Sequence, residues 1–187
     1  MLEIKFFGRG GQGVVLASQI LAKAFFKMGF YPQCFSLFGG ERRGAPVESF
    51  LRVDRERIRL RCGIRNPHHL IIMSLDLISP ELLSGVKERG LVLLNADSLP
   101  ELLEDYKESL ILALIDAQKI SEQIGLGRAI NTAILGAYCR INGDLELGFL
   151  EEAVKETISY KLEENLKALR LAYERVRLYP RKGHVCA

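Results

Sequence analysis

The residues best placed to do chemistry lie at the start of the chain. The run Ile4-Lys5-Phe6-Phe7-Gly8-Arg9-Gly10-Gly11-Gln12-Gly13 carries a short apolar strand into a glycine-rich turn. Val14, Val15, Ala17, Leu21, Ala24, Phe25 and Met28 follow near helical spacing, so the turn opens a helix. Glycines lack Cβ and let backbone N–H groups approach an anion closely. The helix N-terminus behind them adds a partial positive charge. Gly8, Gly10 and Gly13 even satisfy the dinucleotide fingerprint G-x-G-x-x-G. That fingerprint needs a carboxylate about 20 residues on, at the end of the second strand. The second strand reads best as Tyr31–Leu37, and no carboxylate follows before Glu41. A nicotinamide site is therefore disfavoured. Three readings remain: a tight turn without ligand, a site for another anion, or contact with a partner chain. A second glycine cluster, Phe38-Gly39-Gly40-Glu41-Arg42-Arg43-Gly44-Ala45-Pro46, brings charge. Arg42 and Arg43 can neutralise a phosphate or pair with a neighbour's carboxylates. Glu41 reads as their ordering partner.

Bulk properties narrow the class. The 187 residues suit one domain with a sizeable core, and a 48% hydrophobic, 26% charged composition is ordinary for a globular protein. A net charge of +3 gives no footprint for a nucleic acid partner. No basic leader precedes a long apolar run, and no run approaches the roughly 18 residues that span a bilayer. A cytoplasmic protein with no membrane partner is expected. Cys34, Cys62, Cys139 and Cys186 are scattered without a C-x-x-C pair, so metal or cluster ligation has little support. They read as small core residues. His68 and His69 are adjacent at a strand entrance and point to opposite faces, so they cannot chelate one ion there.

The elements that must position the glycine turn follow from periodicity. Val47–Val53 and Ile58–Leu60 alternate apolar and polar residues around Asp54-Arg55-Glu56, which predicts an antiparallel hairpin with Arg52, Arg57, Arg59 and Arg61 outward. Leu70–Met73, Leu91–Leu94 and Leu110–Ile115 are short apolar runs suited to buried parallel strands. Ser79-Pro80-Glu81 starts a helix, and Leu99–Tyr106 also reads as helical. Ala129–Ile141, Leu147–Thr157 and Tyr160–Leu178 make the last third helical. The expectation is a three-layer α/β/α domain with a mixed, mostly parallel sheet, an antiparallel hairpin and a helical C-terminal third.

Taken together, these segments resemble one family, the gamma subunit of 2-oxoacid:ferredoxin oxidoreductases of the pyruvate or 2-oxoisovalerate type. The resemblance rests on Gly8–Ala17, on Phe38–Val47, and on Asn131-Thr132-Ala133-Ile134-Leu135-Gly136-Ala137 followed by the last helix with Lys161, Asn165 and Ala168. Leu91–Asp97 also fits. The likeness covers residues 1–187 as a single gamma-type domain. One departure is Gly40, where many relatives have proline, which would fix φ.

The resemblance implies an enzyme subunit that is inactive alone. It implies alpha, beta and delta-type partner subunits bearing thiamine diphosphate, Mg and iron–sulfur clusters, with ferredoxin as electron acceptor. The assembly would oxidatively decarboxylate a 2-oxoacid, pyruvate first, with coenzyme A, giving acyl-CoA. This chain would supply no catalytic residue and no metal ligand. Gly10, Gly11, Gln12, Gly13, Arg42 and Arg43 are the candidate coenzyme A or interface residues. Asn131-Thr132 is expected to pack its helix against the first loop, and Lys161 and Asn165 are expected at the surface. An indolepyruvate-type subunit and a stand-alone nucleotide or acyl-CoA binding module are the alternatives.

Overall fold

The computed structural model describes residues 1–38 and 44–179. Seven strands form one mixed sheet: β1 (Leu2–Arg9), β2 (Tyr31–Phe38), β3 (Pro46–Asp54), β4 (His69–Ile72), β5 (Leu91–Asn95), β6 (Ile111–Ile115) and β7 (Arg177–Tyr179). Their order across the sheet is β2-β3-β1-β4-β5-β6-β7. The core strands β1, β4, β5 and β6 run parallel. β3 pairs antiparallel with both β1 and β2, and β7 antiparallel with β6. Parallel and antiparallel pairings are thus equal in number, three each, because both edges of the parallel core are extended by returning strands.

Six helices follow from capping and periodicity: α1 (Val14–Lys27), α2 (Pro80–Ser84), α3 (Ala117–Ile124), α4 (Asn131–Asn142), α5 (Leu147–Thr157) and α6 (Leu162–Arg175). The Ser79 hydroxyl accepts from the Leu82 N–H at 3.2 Å to start α2, and the Asp116 carboxylate accepts from the Lys119 N–H at 2.9 Å to start α3. Strand alternation divides the core. Ile4, Phe6, Leu51, Ile71, Leu93 and Ala113 face α1 and α3 to α6. Leu70, Ile72, Val92, Leu94 and Leu112 face the thinner layer, built by α2 and a 3-10 turn at Glu101–Tyr106.

Several expectations change. The partner of β3 in the antiparallel ribbon is β2; residues 57–61 form no strand. The alternating pattern at Arg57–Arg61 was real, but the sheet positions beside β3 are already filled by β1 and β2. Arg52 does not point to solvent. It is 2% exposed, donating to Glu3 Oε1 at 3.1 Å and to the Cys62 carbonyl at 2.8 Å. Burial alone would raise the Glu3 pKa, but hydrogen bonds and charge from Arg52 and Lys87 hold it below its ordinary value. The expected helix at Leu99–Tyr106 is a 3-10 turn, and the last expected helix stops at Arg175, where β7 takes over. Cys139 is buried as expected, whereas Cys34 is half-buried and Cys62 exposed. Cys186 lies outside the described residues.

Candidate functional site

The glycine turn sits at the carboxyl end of β1, where the parallel core opens. Gly11 has φ +97° and Gly13 φ +78°, a left-handed region that favours glycine. Any Cβ on Gly13 would also stand 3.0 Å from Asn131 Nδ2. Gln12 fastens the loop from inside. Its Oε1 accepts from the Arg9 N–H at 2.8 Å, and its Nε2 donates to the Met73 carbonyl at 3.2 Å. The Gly10 N–H donates to the Ala45 carbonyl at 2.9 Å. Gln12 and Gly10 therefore spend these donors on the turn itself. The N–H groups of Gly11 and Gly13 have no partner among the described residues. α1 begins with no side-chain cap, and its first backbone bond, Ala17 N–H to the Gly13 carbonyl at 2.8 Å, leaves the N–H groups of Val14, Val15 and Leu16 open.

A cleft of about 390 Å³ lies over this turn, lined by Arg9, Gly10, Gly11, Gln12, Gly44, Gln118 and Arg128. Its two described arginines differ. Arg9 donates to the Gly44 carbonyl at 2.7 Å and to Asp76 Oδ2 at 2.8 Å. Hydrogen bonds from Arg9, then Ser74, hold the Asp76 carboxyl at about 2. Arg128 is exposed and makes no hydrogen bond or ion pair among the described residues. Asn131, 5% exposed, spends its Oδ1 on the Thr132 N–H, and its Nδ2 has no partner among the described residues. The cleft lining thus combines the open N–H of Gly11 with the unpaired Arg128 guanidinium, and the Asn131 amide packs against the adjoining Gly13, a set suited to a phosphate or carboxylate.

The other expected residues fall as follows. Glu41, Arg42 and Arg43 lie outside the described residues. Asn131 packs on the glycine turn as expected. Asn165 is not at the surface; it is 5% exposed, accepts from the Thr132 hydroxyl at 3.0 Å and donates to the Lys161 carbonyl at 2.9 Å. Lys161 then donates from Nζ to the Gly125 carbonyl at 2.5 Å. Sequence reasoning missed Gln118 and Arg128. The signal was the Gly125-Leu126-Gly127 turn after α3, which returns the chain to the carboxyl end of the strands. The nicotinamide reading also fails on topology, since β3 separates β2 from β1. Among the described residues no group of three or more His, Cys, Asp or Glu could hold a metal ion, and no helix is long and apolar enough to cross a membrane.

The site thus sits on a mixed α/β domain with an anion-suited glycine turn at the carboxyl edge of its parallel strands, and comparison with known proteins places that domain. The chain belongs to the pyruvate ferredoxin/flavodoxin oxidoreductase family, whose family pattern matches residues 3–175. It is 42% identical to the pyruvate/ketoisovalerate oxidoreductases common subunit gamma of Pyrococcus furiosus over 184 residues, covering 96% of this chain and 99% of that one. It is 42% identical over 180 residues to pyruvate synthase subunit PorC of Methanothermobacter marburgensis, covering 95% and 98% of the two chains. The crystal structure of pyruvate oxidoreductase subunit PORC from Thermotoga maritima superposes with a TM-score of 0.82 at 31% identity, covering 95% of this chain and 97% of that one. The chain is a gamma-type member of this family.

Proposed function

We propose that this chain is the gamma subunit of a cytoplasmic, multisubunit pyruvate:ferredoxin oxidoreductase, and that its glycine cleft holds the phosphates of coenzyme A at an entry shared with its partners. The reaction joins pyruvate and coenzyme A to give acetyl-CoA and carbon dioxide, with two electrons passing to ferredoxin. Thiamine diphosphate with Mg supplies the decarboxylation chemistry and iron–sulfur clusters the electron path, both on alpha, beta and delta-type subunits. This chain binds and orients. The unspent N–H groups of Gly11 and Gly13, the open start of α1, Asn131 Nδ2 and Arg128 receive a phosphate, while Gln12 and Gly10 hold the turn in shape. Arg42 and Arg43 add charge by the family resemblance alone. The whole 187-residue chain acts as one unit in this reading.

The observation that carries the proposal is the cleft lined by the open Gly11 donor and the unpaired Arg128, with the Asn131 amide, unpartnered among the described residues, against the adjoining Gly13. The pyruvate and ketoisovalerate names of the relatives favour this branch over the indolepyruvate alternative. The test is the enzyme reconstituted with its co-expressed subunits, carrying Arg128→Ala or Asn131→Ala. Each change should raise the Kd for coenzyme A, measured by calorimetry, about tenfold (a partly solvated charged hydrogen bond being worth about 1.5 kcal/mol), with pyruvate KM unchanged. Unchanged coenzyme A binding in both variants refutes the cleft as its site. Tight binding by the isolated chain supports the stand-alone module instead.

A further inference from the structure

Residues 57–61, Arg57-Ile58-Arg59-Leu60-Arg61, have the two-residue alternation of a strand yet form none. No backbone N–H or carbonyl of these five residues has a hydrogen-bond partner among the described residues. The strap is nevertheless anchored. Just beyond it, the buried Arg52 guanidinium donates to the Cys62 carbonyl at 2.8 Å and the Gly63 carbonyl at 3.4 Å, and Ile64 is 3% exposed. A segment with a strand's alternation, pinned at one end and with its backbone groups unspent, is a template for an added strand.

Its side chains say what kind of strand. Arg57, Arg59 and Arg61 are exposed and make no ion pair among the described residues. On the helical layer the contrast is clear: Lys27 pairs with Glu152 and Glu156 at 3.2 and 2.6 Å, and Arg170 with Glu151 at 2.6 Å. Three like charges two residues apart repel one another unless carboxylates stand opposite. Beside the strap lies a groove of about 810 Å³ over β1 and β3, the part of the sheet not covered by α2 or the 3-10 turn. Leu60 and Leu37, 47% and 54% exposed, stand on its rim with Phe50 and Lys5 within. The groove is mixed: Glu3, Glu48, Lys5, Arg65 and Lys87 also line it, and its exposed apolar side chains, Leu37 and Leu60, stand beside the strap arginines, a combination of arginine and apolar surface found at interface centres.

We infer that residues 57–61 pair with an extended acidic segment of a partner chain, carboxylates opposite Arg57, Arg59 and Arg61 and an apolar side chain in the groove beside Leu60. This rests on the chain being a subunit. The test uses the co-expressed assembly, with Arg57→Glu/Arg59→Glu/Arg61→Glu set against Lys155→Glu/Lys167→Glu, two exposed cations on the helical side. Subunit affinity is read by analytical ultracentrifugation at low and high salt, and amide hydrogen exchange is read on the wild type, free and assembled. The triple reversal should weaken assembly at least tenfold, abolish its salt dependence and leave the control unchanged. Amides within residues 57–61 should exchange at least tenfold more slowly in the assembly. Unprotected amides in an assembled wild type, or undiminished affinity of the triple variant, overturn the pairing while leaving the subunit reading intact. A wild type that does not assemble at low salt refutes both. Protection of the strap by a short RNA, but not by the assembly, overturns it in favour of a nucleic acid.

Discussion

Replacing Gly136 with alanine should destabilise the protein more than its single methyl suggests. Gly136 lies at the crossing of α4 and α6, and a Cβ built there would stand 1.9 Å from the Leu169 carbonyl oxygen, 2.7 Å from its carbon and 2.9 Å from Cα. These are backbone atoms of a helix, so no rotamer change removes the clash. Ordinary contact begins near 3.4 Å, so α4 must move from α6 by about 1.5 Å. A gap of even ~1 Å forfeits up to half of each dispersion contact along the seam. That seam buries Ala133, Ala137, Leu166, Leu169 and Ala172. Overpacking costs about 1–3 kcal/mol, and more where backbone obstructs. Alanine's better helix propensity returns about 1 kcal/mol. The net loss should reach about 2 kcal/mol, or a Tm lower by roughly 4–8 °C for a domain of this size. Urea unfolding by circular dichroism measures it. A midpoint within about 0.5 kcal/mol of wild type would refute the close approach of these helices. α4 also carries Asn131, so the same variant should weaken anion binding at the glycine turn.

The remaining predictions concern buried polar groups. Burial, with a smaller contribution from the charge of His68, pushes His69 down to about 4. The unfolded chain takes up a proton below its ordinary 6.5 while the native ring does not. Stability is therefore full above pH 6.5 and falls toward pH 4, by at most about 3 kcal/mol. His69→Gln should flatten that window in pH-dependent urea midpoints, and an unchanged slope assigns it to other groups. Arg52→Ala leaves the Cys62 carbonyl without its donor and Glu3 with Lys87 alone, and should cost about 3 kcal/mol; a loss under about 1 kcal/mol in urea melts would mean that solvent and Lys87 replace the guanidinium.

Much of the fold was legible because its strands are short apolar runs bounded by turn residues. Leu91–Leu94 and Leu110–Ile115 became β5 and β6 almost unchanged, and Ser79 and Asp116 capped their helices as their side chains require. What escaped was long-range competition. Alternation at Arg57–Arg61 correctly reports a strand-like segment, but nothing local reveals that β2 takes the place beside β3. Arg52 follows the alternation of an outward residue, yet it is buried, with its guanidinium on the Cys62 and Gly63 carbonyls and on Glu3 of the next strand. β7 has only three residues and no pattern of its own; pairing with β6 makes it a strand. At the site, the glycine turn was plain from sequence. Arg128 was not, since its place in the cleft depends on how α3 and α4 return to the same sheet edge.

The cleft's charge balance indicates which arginine should take the phosphate. Arg9 looks the natural partner because it lies in the glycine run, but it is already neutralised. Recruiting it to a ligand would mean breaking hydrogen bonds to Asp76 and to the Gly44 carbonyl, and the Asp76 carboxylate would repel the incoming anion. Arg128 carries no such cost. It is also held within reach by a continuous chain of contacts: Asn131 against Gly13, Thr132 to Asn165, Asn165 to Lys161, and Lys161 to the Gly125 carbonyl, three residues before Arg128. The buried members of this chain cannot be solvated separately, so loss of one strands its neighbour. Thr132→Val should therefore weaken coenzyme A binding to the reconstituted enzyme without touching the ligand, by loosening both the Asn131 amide and the Gly125–Arg128 turn. Arg9→Gln should chiefly loosen the turn around Gly44 and leave most of the affinity in place. If Arg9→Gln abolished binding while Arg128→Ala did not, the Arg9–Asp76 pair would have to open on binding, and the cleft could not be preformed.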